Sequence, residues 1–154
     1  SEMCIRDSPG IENSMPQISL SVTDHEPMEF TGRRLVRVEG SRDPSLTGWR
    51  RYDLSVYTVE AGGFVAAIDF ISTVPNEPNR SVVEAVDRLT DVEDFFFAFE
   101  PDELLPATIP NLSLSHRQEL LQRLYANYDR QVKDVLNELH REASQPETTA
   151  PPRG

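Results

Sequence analysis

The chain has 154 residues, with 15 Lys and Arg against 26 Asp and Glu for a formal net charge of −11, and 38% of it is apolar. That provides for one small core and no more. A protein repelled by polyphosphate gains little from counterion release, so no general DNA- or RNA-binding role and no nucleic-acid partner is expected, a local basic patch being the one route left to such binding.

The longest apolar stretches, Gly62 to Ile68 and Phe95 to Phe99, end at Asp69 and Glu100. Both fall far short of the roughly 20 residues of a spanning helix. No membrane partner is expected, and the absence of a leader pattern makes the cytoplasm the expected location. Cys4, the one cysteine, has no Cys or His at ligand spacing, so no metal site and no other cofactor is expected.

The octet Ser1-Glu2-Met3-Cys4-Ile5-Arg6-Asp7-Ser8 reads as translated sequencing adapter of the kind that ends environmental assemblies, which makes Met15 the expected start and the source environmental and bacterial. Residues 1–27, with Pro9, Gly10, Pro16 and Pro27, form an artefactual or flexible lead-in that holds at most a short strand near Ile18 to Val22. A single α+β domain over 28–142 follows.

Phe30, Val36 and Val38 share one parity and Glu29, Thr31, Arg33 and Arg37 the other, a period-two pattern that predicts a strand over 28–38, locally broken at Arg34 and Leu35. Turn residues make 40–48 a loop. A second strand, 49–59, places Tyr52, Leu54 and Val56 on one face and Trp49, Arg51, Asp53, Ser55 and Tyr57 on the other. Gly62 and Gly63 supply a hairpin turn because they reach positive φ without a Cβ clash. The third strand, 64–72, points Phe64, Ala66, Ile68 and Phe70 inward.

Val82, Val83 and Val86 fit either a strand or a helical face, and a fourth strand over 81–88 is preferred because Thr90 with Glu93 makes a better helix start. That helix, 91–99, carries Val92, Phe95, Phe96 and Phe99 and stops at Pro101. Ser115 with Gln118 caps a long helix running to about Glu142. Its seam of Leu121, Tyr125, Tyr128, Val132, Val135 and Leu139 recurs at heptad spacing. Packing of this seam on the sheet is preferred, with a homodimer through the long helix as the other outcome. The tail from 143 to 154 holds no core-forming residues and is expected to be disordered.

Catalytic signatures are thin, and no catalytic residue is assigned. His25, His116 and His140 sit where solvated or capping histidines are ordinary. No nucleophile elbow, phosphate-cradling loop or zinc-protease helix occurs. The informative feature is a sign inversion. Between Gly32 and Arg51 six arginines (33, 34, 37, 42, 50 and 51) face only Glu39 and Asp43, a net of +4, whereas 81–105 holds eight carboxylates against Arg88, a net of −7. Arg33, Arg37, Trp49, Arg51 and Tyr57 share the non-core face, where guanidinium groups beside aromatics recognise an anionic or planar partner. Against this stands pairing of the same arginines with the acidic 81–105 segment, or cover by the long helix.

The stretch Glu29-Phe30-Thr31-Gly32-Arg33-Arg34-Leu35, then Trp49, Tyr57-Thr58 and Gly62-Gly63-Phe64-Val65, resembles the core of small bacterial proteins with a Phe-x-Gly, Trp, Tyr-x-x-x-x-Gly-x-Phe/Tyr-Val pattern. The EXLDI proteins carry a similar segment. The resemblance spans residues 28–72, and the C-terminal half departs from it. It implies a bacterial, cytoplasmic accessory protein of a mobile element and carries no catalytic residue.

The expected architecture is an antiparallel sheet of three to four strands followed by a short helix and a long C-terminal helix. The expected function is a non-enzymatic protein-binding or regulatory module using the Arg/Trp/Tyr face or the long helix. The alternative is a small hydrolase or ligand-binding enzyme using carboxylates such as Asp53 and Asp69. Convergence of these two with Arg51 in a closed concave pocket favours the enzyme.

Overall fold

The computed structural model describes residues 15–45, 47–105, 109 and 112–144. The adapter-like octet and most of the expected disordered tail lie outside the described residues. The fold is α+β: six strands, β1 (Gln17–Leu20), β2 (Met28–Glu39), β3 (Asp43–Pro44), β4 (Trp49–Val59), β5 (Phe64–Ser72) and β6 (Arg80–Val86), precede a short helix α1 (Leu89–Ala98), a 3-10 turn (Pro101–Leu104) and a long helix α2 (Leu114–Ser144). The sheet is antiparallel in the order β1-β2-β4-β5-β6, with β3 paired to the start of β4. The ambiguous valine segment is thus a strand.

Period-two alternation assigns the faces of β4 and β5 as expected. Tyr52, Leu54, Val56, Ala66, Ile68 and Phe70 are buried against Val92 and Phe96 of α1 and Leu120, Leu124, Tyr128, Val132, Val135 and Leu139 of α2. The hairpin between them turns on Gly62 (φ 121°) and Gly63 (φ 87°), with the Val59 amide donating to the Gly63 carbonyl at 3.1 Å.

Strand β2 departs from the expected parity. Its register with β4 slips between Arg34 and Val36, so Leu35 is a bulge. Ahead of the bulge Arg34 stands opposite Tyr57 and Arg33 opposite Thr58; after it Val36 pairs with Val56 and Arg37 with Ser55. Phe30 therefore lies on the opposite face from Val36 and Val38, where its ring meets Tyr57 edge-on at 5.6 Å.

Both helix starts are shifted. At the start of α1 the Asp91 carboxylate accepts from the Arg88 amide at 3.2 Å, two positions ahead of the expected pair Thr90 and Glu93. Ser113, ahead of Ser115, caps α2 by accepting from the His116 amide at 3.2 Å.

Helix α2 has 31 residues, about 46 Å at 1.5 Å per residue, and lies on the sheet. Val132, Val135 and Leu139 are fully buried there, while Tyr125 remains 39% exposed. The buried line runs through Leu120 and Leu124 in place of Leu121 and Tyr125. Most of the seam is thus buried against the sheet within the monomer, the preferred packing.

Gln131, the buried polar residue of that stripe, donates to the carbonyls of Val38 at 2.9 Å and Tyr52 at 2.6 Å, pinning the helix to the ends of β2 and β4. Arg123 forks onto the buried Asp43 carboxylate at 2.8 and 3.2 Å. Tyr128 donates to the Phe96 carbonyl at 2.6 Å, and Tyr52 donates to the Pro101 carbonyl.

Candidate functional site

The sheet face away from α2 is curled. Ser55, Val65 and Ala67 lie on it and are nevertheless buried. The chain beyond β1 reaches the far edge, where the Thr23 amide donates to the Ser81 carbonyl at 3.0 Å and the Ser81 amide to the Thr23 hydroxyl at 2.6 Å. The end of this face formed by the start of β4 and the end of β2 clusters charged side chains.

At that end Asp53 is the organising group. It is 0% exposed, and its carboxylate accepts from Arg37 Nη2 at 2.8 Å, from Arg51 Nε at 3.0 Å and Nη2 at 3.2 Å, and from the Gly40 amide at 3.3 Å. A buried carboxylate is tolerated only when so satisfied. Glu39 adds weaker contacts, 3.5 Å to Arg37 and 3.9 Å to Arg51. The Trp49 ring carries the Arg51 guanidinium at 5.3 Å and that of Arg42, from the adjacent loop, at 4.4 Å. The result is a row Arg42, Trp49, Arg51, Asp53, Arg37 along one rim. The hydrogen bond that Arg37 donates to Asp53 holds its guanidinium above its ordinary pKa.

Of the five residues singled out from the sequence, Arg37, Trp49 and Arg51 come together on this rim. Tyr57 shares their face but stands farther along β4 against Phe30. Arg33 does not join them. The bulge at Leu35 turns it to the opposite face and gives Arg34 its place beside Tyr57. Arg42 is the participant that parity could not reach, because it lies in a loop. Arg50 points the other way, buried in a fork onto Glu77 at 2.9 and 2.5 Å. Neither alternative fate of the arginines occurs in the expected form: their main partner is Asp53 of the same sheet, and α2 covers the other face.

The carboxylate pair of the enzyme alternative is also resolved geometrically. Asp53 and Asp69 are cross-strand partners. Asp69 accepts from the Ser81 hydroxyl at 2.6 Å, and its carboxyl is pushed above its ordinary range by burial, a shift opposed by the Ser81 hydrogen bond and assisted by the Asp53 charge. Asp53 itself is sealed and saturated by its arginines. Open grooves run between β2 and the C-terminal half of α2, where Arg37 but neither carboxylate contributes to the lining, and between β6 and α1.

Comparison with family models, with curated proteins and with solved structures finds no match to this chain. Its function is therefore argued from its own residues. Among the described residues no cluster of three or more His, Cys, Asp or Glu is placed to hold a metal ion, and no helix is long and apolar enough to cross a membrane. Two of the histidines have local partners: His116 contacts Ser113 Oγ at 2.9 Å and His140 contacts Glu93 at 3.1 Å.

Proposed function

We propose that this chain is a non-enzymatic binding module that recognises an acidic segment of a partner protein through the rim formed by Arg42, Trp49, Arg51 and Arg37. The observation that carries the reading is the buried Asp53 carboxylate, which fixes two guanidinium groups in place beside an aromatic ring that holds a third. Groups already ordered lose little entropy when they engage a partner, and planar forks match carboxylates in two-point geometry. At about 0.15 M ionic strength the Debye length is about 8 Å, so a partner at the rim feels the local arginines more than the net charge of the whole chain. In keeping with its sequence resemblance, the module is assigned to the bacterial cytoplasm as an accessory protein.

The enzyme alternative has one supporting observation, the raised pKa of Asp69 beside Asp53. It is disfavoured because Asp53 offers no accessible oxygen and Asp69 is committed to Ser81.

Trp49 is the one tryptophan of the chain, which makes its emission a direct reporter. Titration with an oligoglutamate peptide is expected to give a saturable change in Trp49 fluorescence that Arg42→Glu abolishes. No change up to about 1 mM peptide, an affinity below about 4 kcal/mol, refutes the assignment.

A further inference from the structure

The opposite edge of the sheet carries an inference independent of the arginine rim. Strand β6 is terminal in the sheet and pairs with β5 alone. In an antiparallel ladder the backbone groups of successive residues point alternately to the two sides of the strand. Ser81 directs its amide and carbonyl away from β5, because both bond to Thr23, so Val83 and Ala85 direct theirs the same way. Among the described residues nothing pairs with those two. The contact with Thr23 shows that the turn after β1 meets this edge only at its beginning.

Beside the unpaired stretch runs an open groove of about 620 Å³ between β6 and α1. Val82, Val86, Phe95 and Phe99 contribute its apolar surface, and its rim carries Glu84, Asp87, Asp91, Asp94 and Glu103 without a cation. Asp91 is engaged by Arg88 at 3.3 Å, while the other four form no ion pair among the described residues. An uncovered strand edge is normally blunted by charged side chains, proline or a bulge. Here the exposed part carries one charge, Glu84, and the flanking charge has the same sign, so the edge is guarded against acidic segments and left open to basic ones.

We propose that the β6 edge at Val83 and Ala85, together with the acidic groove against α1, docks an extended basic segment of a partner protein as an added strand. Main-chain hydrogen bonds to the edge supply the register; the partner's side chains of one parity face the α1 groove, where basic groups meet the carboxylates and lay their stems on its apolar floor, and those of the other parity continue the face of Val83 and Ala85. The partner is thereby defined as a chain with alternating basic and apolar residues and no proline at the pairing positions.

The test is a calorimetric and amide-shift titration of the full chain with an amidated seven-residue peptide alternating Lys with Val, Ile and Thr. A second peptide of equal charge carries a central proline. The first is expected to bind saturably, shift the Val83 and Ala85 amides, and weaken about tenfold with Ala85→Pro and with the double substitution Glu84→Lys and Asp94→Lys. Glu84 and Asp94 are exposed, so the second variant keeps the test open if Ala85→Pro disturbs folding.

Equal binding of the proline peptide overturns the proposal, since the groove is then only a diffuse anionic surface. Shifts confined to other strands also overturn it. So does slow hydrogen exchange at the Val83 and Ala85 amides in the free protein, because a segment of the chain itself then covers the edge.

Discussion

Replacing Asp53 with alanine is the perturbation that the structure resolves best. The substitution removes a carboxylate with no exposed surface and leaves two guanidinium groups and the Gly40 amide without their acceptor. Breaking a buried pair from one side costs about 3–5 kcal/mol. The low end applies, because the Arg37 side chain is 36% exposed and can turn to water, while Arg51, 15% exposed, keeps Trp49 and Glu39. The expected loss is therefore about 3 kcal/mol, or about 10 °C in Tm for a domain of this size. Asp53→Asn retains one acceptor and loses the charge, and is expected to cost about half as much. Urea unfolding followed by Trp49 emission and far-ultraviolet circular dichroism measures both. A midpoint for Asp53→Ala within about 0.5 kcal/mol of the parent, the range of ordinary surface substitutions, refutes the assignment of Asp53 as the organising group.

Other expectations follow from the same contacts. Leu139→Ala opens a cavity under α2 and is expected to cost about 3 kcal/mol, whereas Tyr125→Ala, on the exposed part of the heptad seam, costs under about 1 kcal/mol; comparable losses in a denaturant melt contradict the packing described. Asp69 and Glu77 titrate in opposite senses. The folded Asp69 carboxyl is held above its ordinary value of 3.8, so its contribution is complete below that pH and is lost as pH rises through the raised value; Asp69→Asn is expected to flatten that decline. For Glu77, burial pushes the carboxyl up, but the hydrogen bonds from Arg50 and Ser72 outweigh it and hold it below 4.5. Its contribution is present above 4.5 and lost as pH falls, so Glu77→Gln is expected to shallow the acid limb of a stability-versus-pH curve, and an unchanged limb argues against the buried fork with Arg50.

The central strands β4 and β5 were legible because they obey period two without ambiguity: Tyr52, Leu54 and Val56 can be buried together only if Trp49, Arg51 and Asp53 face the other way. The position of Arg33 was not, although its mark is visible. The alternation fails at Arg34 and Leu35, and a one-residue slip there inverts every side chain on one side of it. The choice of Asp53 as the arginines' partner depends on pairing across β2 and β4, a contact 16 residues apart that no local pattern encodes. The caps moved for a related reason. Several residues near each helix start can serve, and Arg88 and Ser113 prevail through the contacts they make once folded. The buried stripe of α2 shifted from Leu121 and Tyr125 to Leu120 and Leu124 because a helix of 3.6 residues per turn drifts off a strict heptad as it crosses a curled sheet.

The central claim is that the Arg42, Trp49, Arg51 and Arg37 rim is the binding surface, and amide chemical-shift mapping of a bound acidic peptide tests it most directly. The account predicts that the largest shifts fall on residues 37–42 and 49–53, and that they disappear in Arg42→Glu at unchanged stability. Binding whose shifts fall on α2 or β6, or that survives Arg42→Glu, contradicts it.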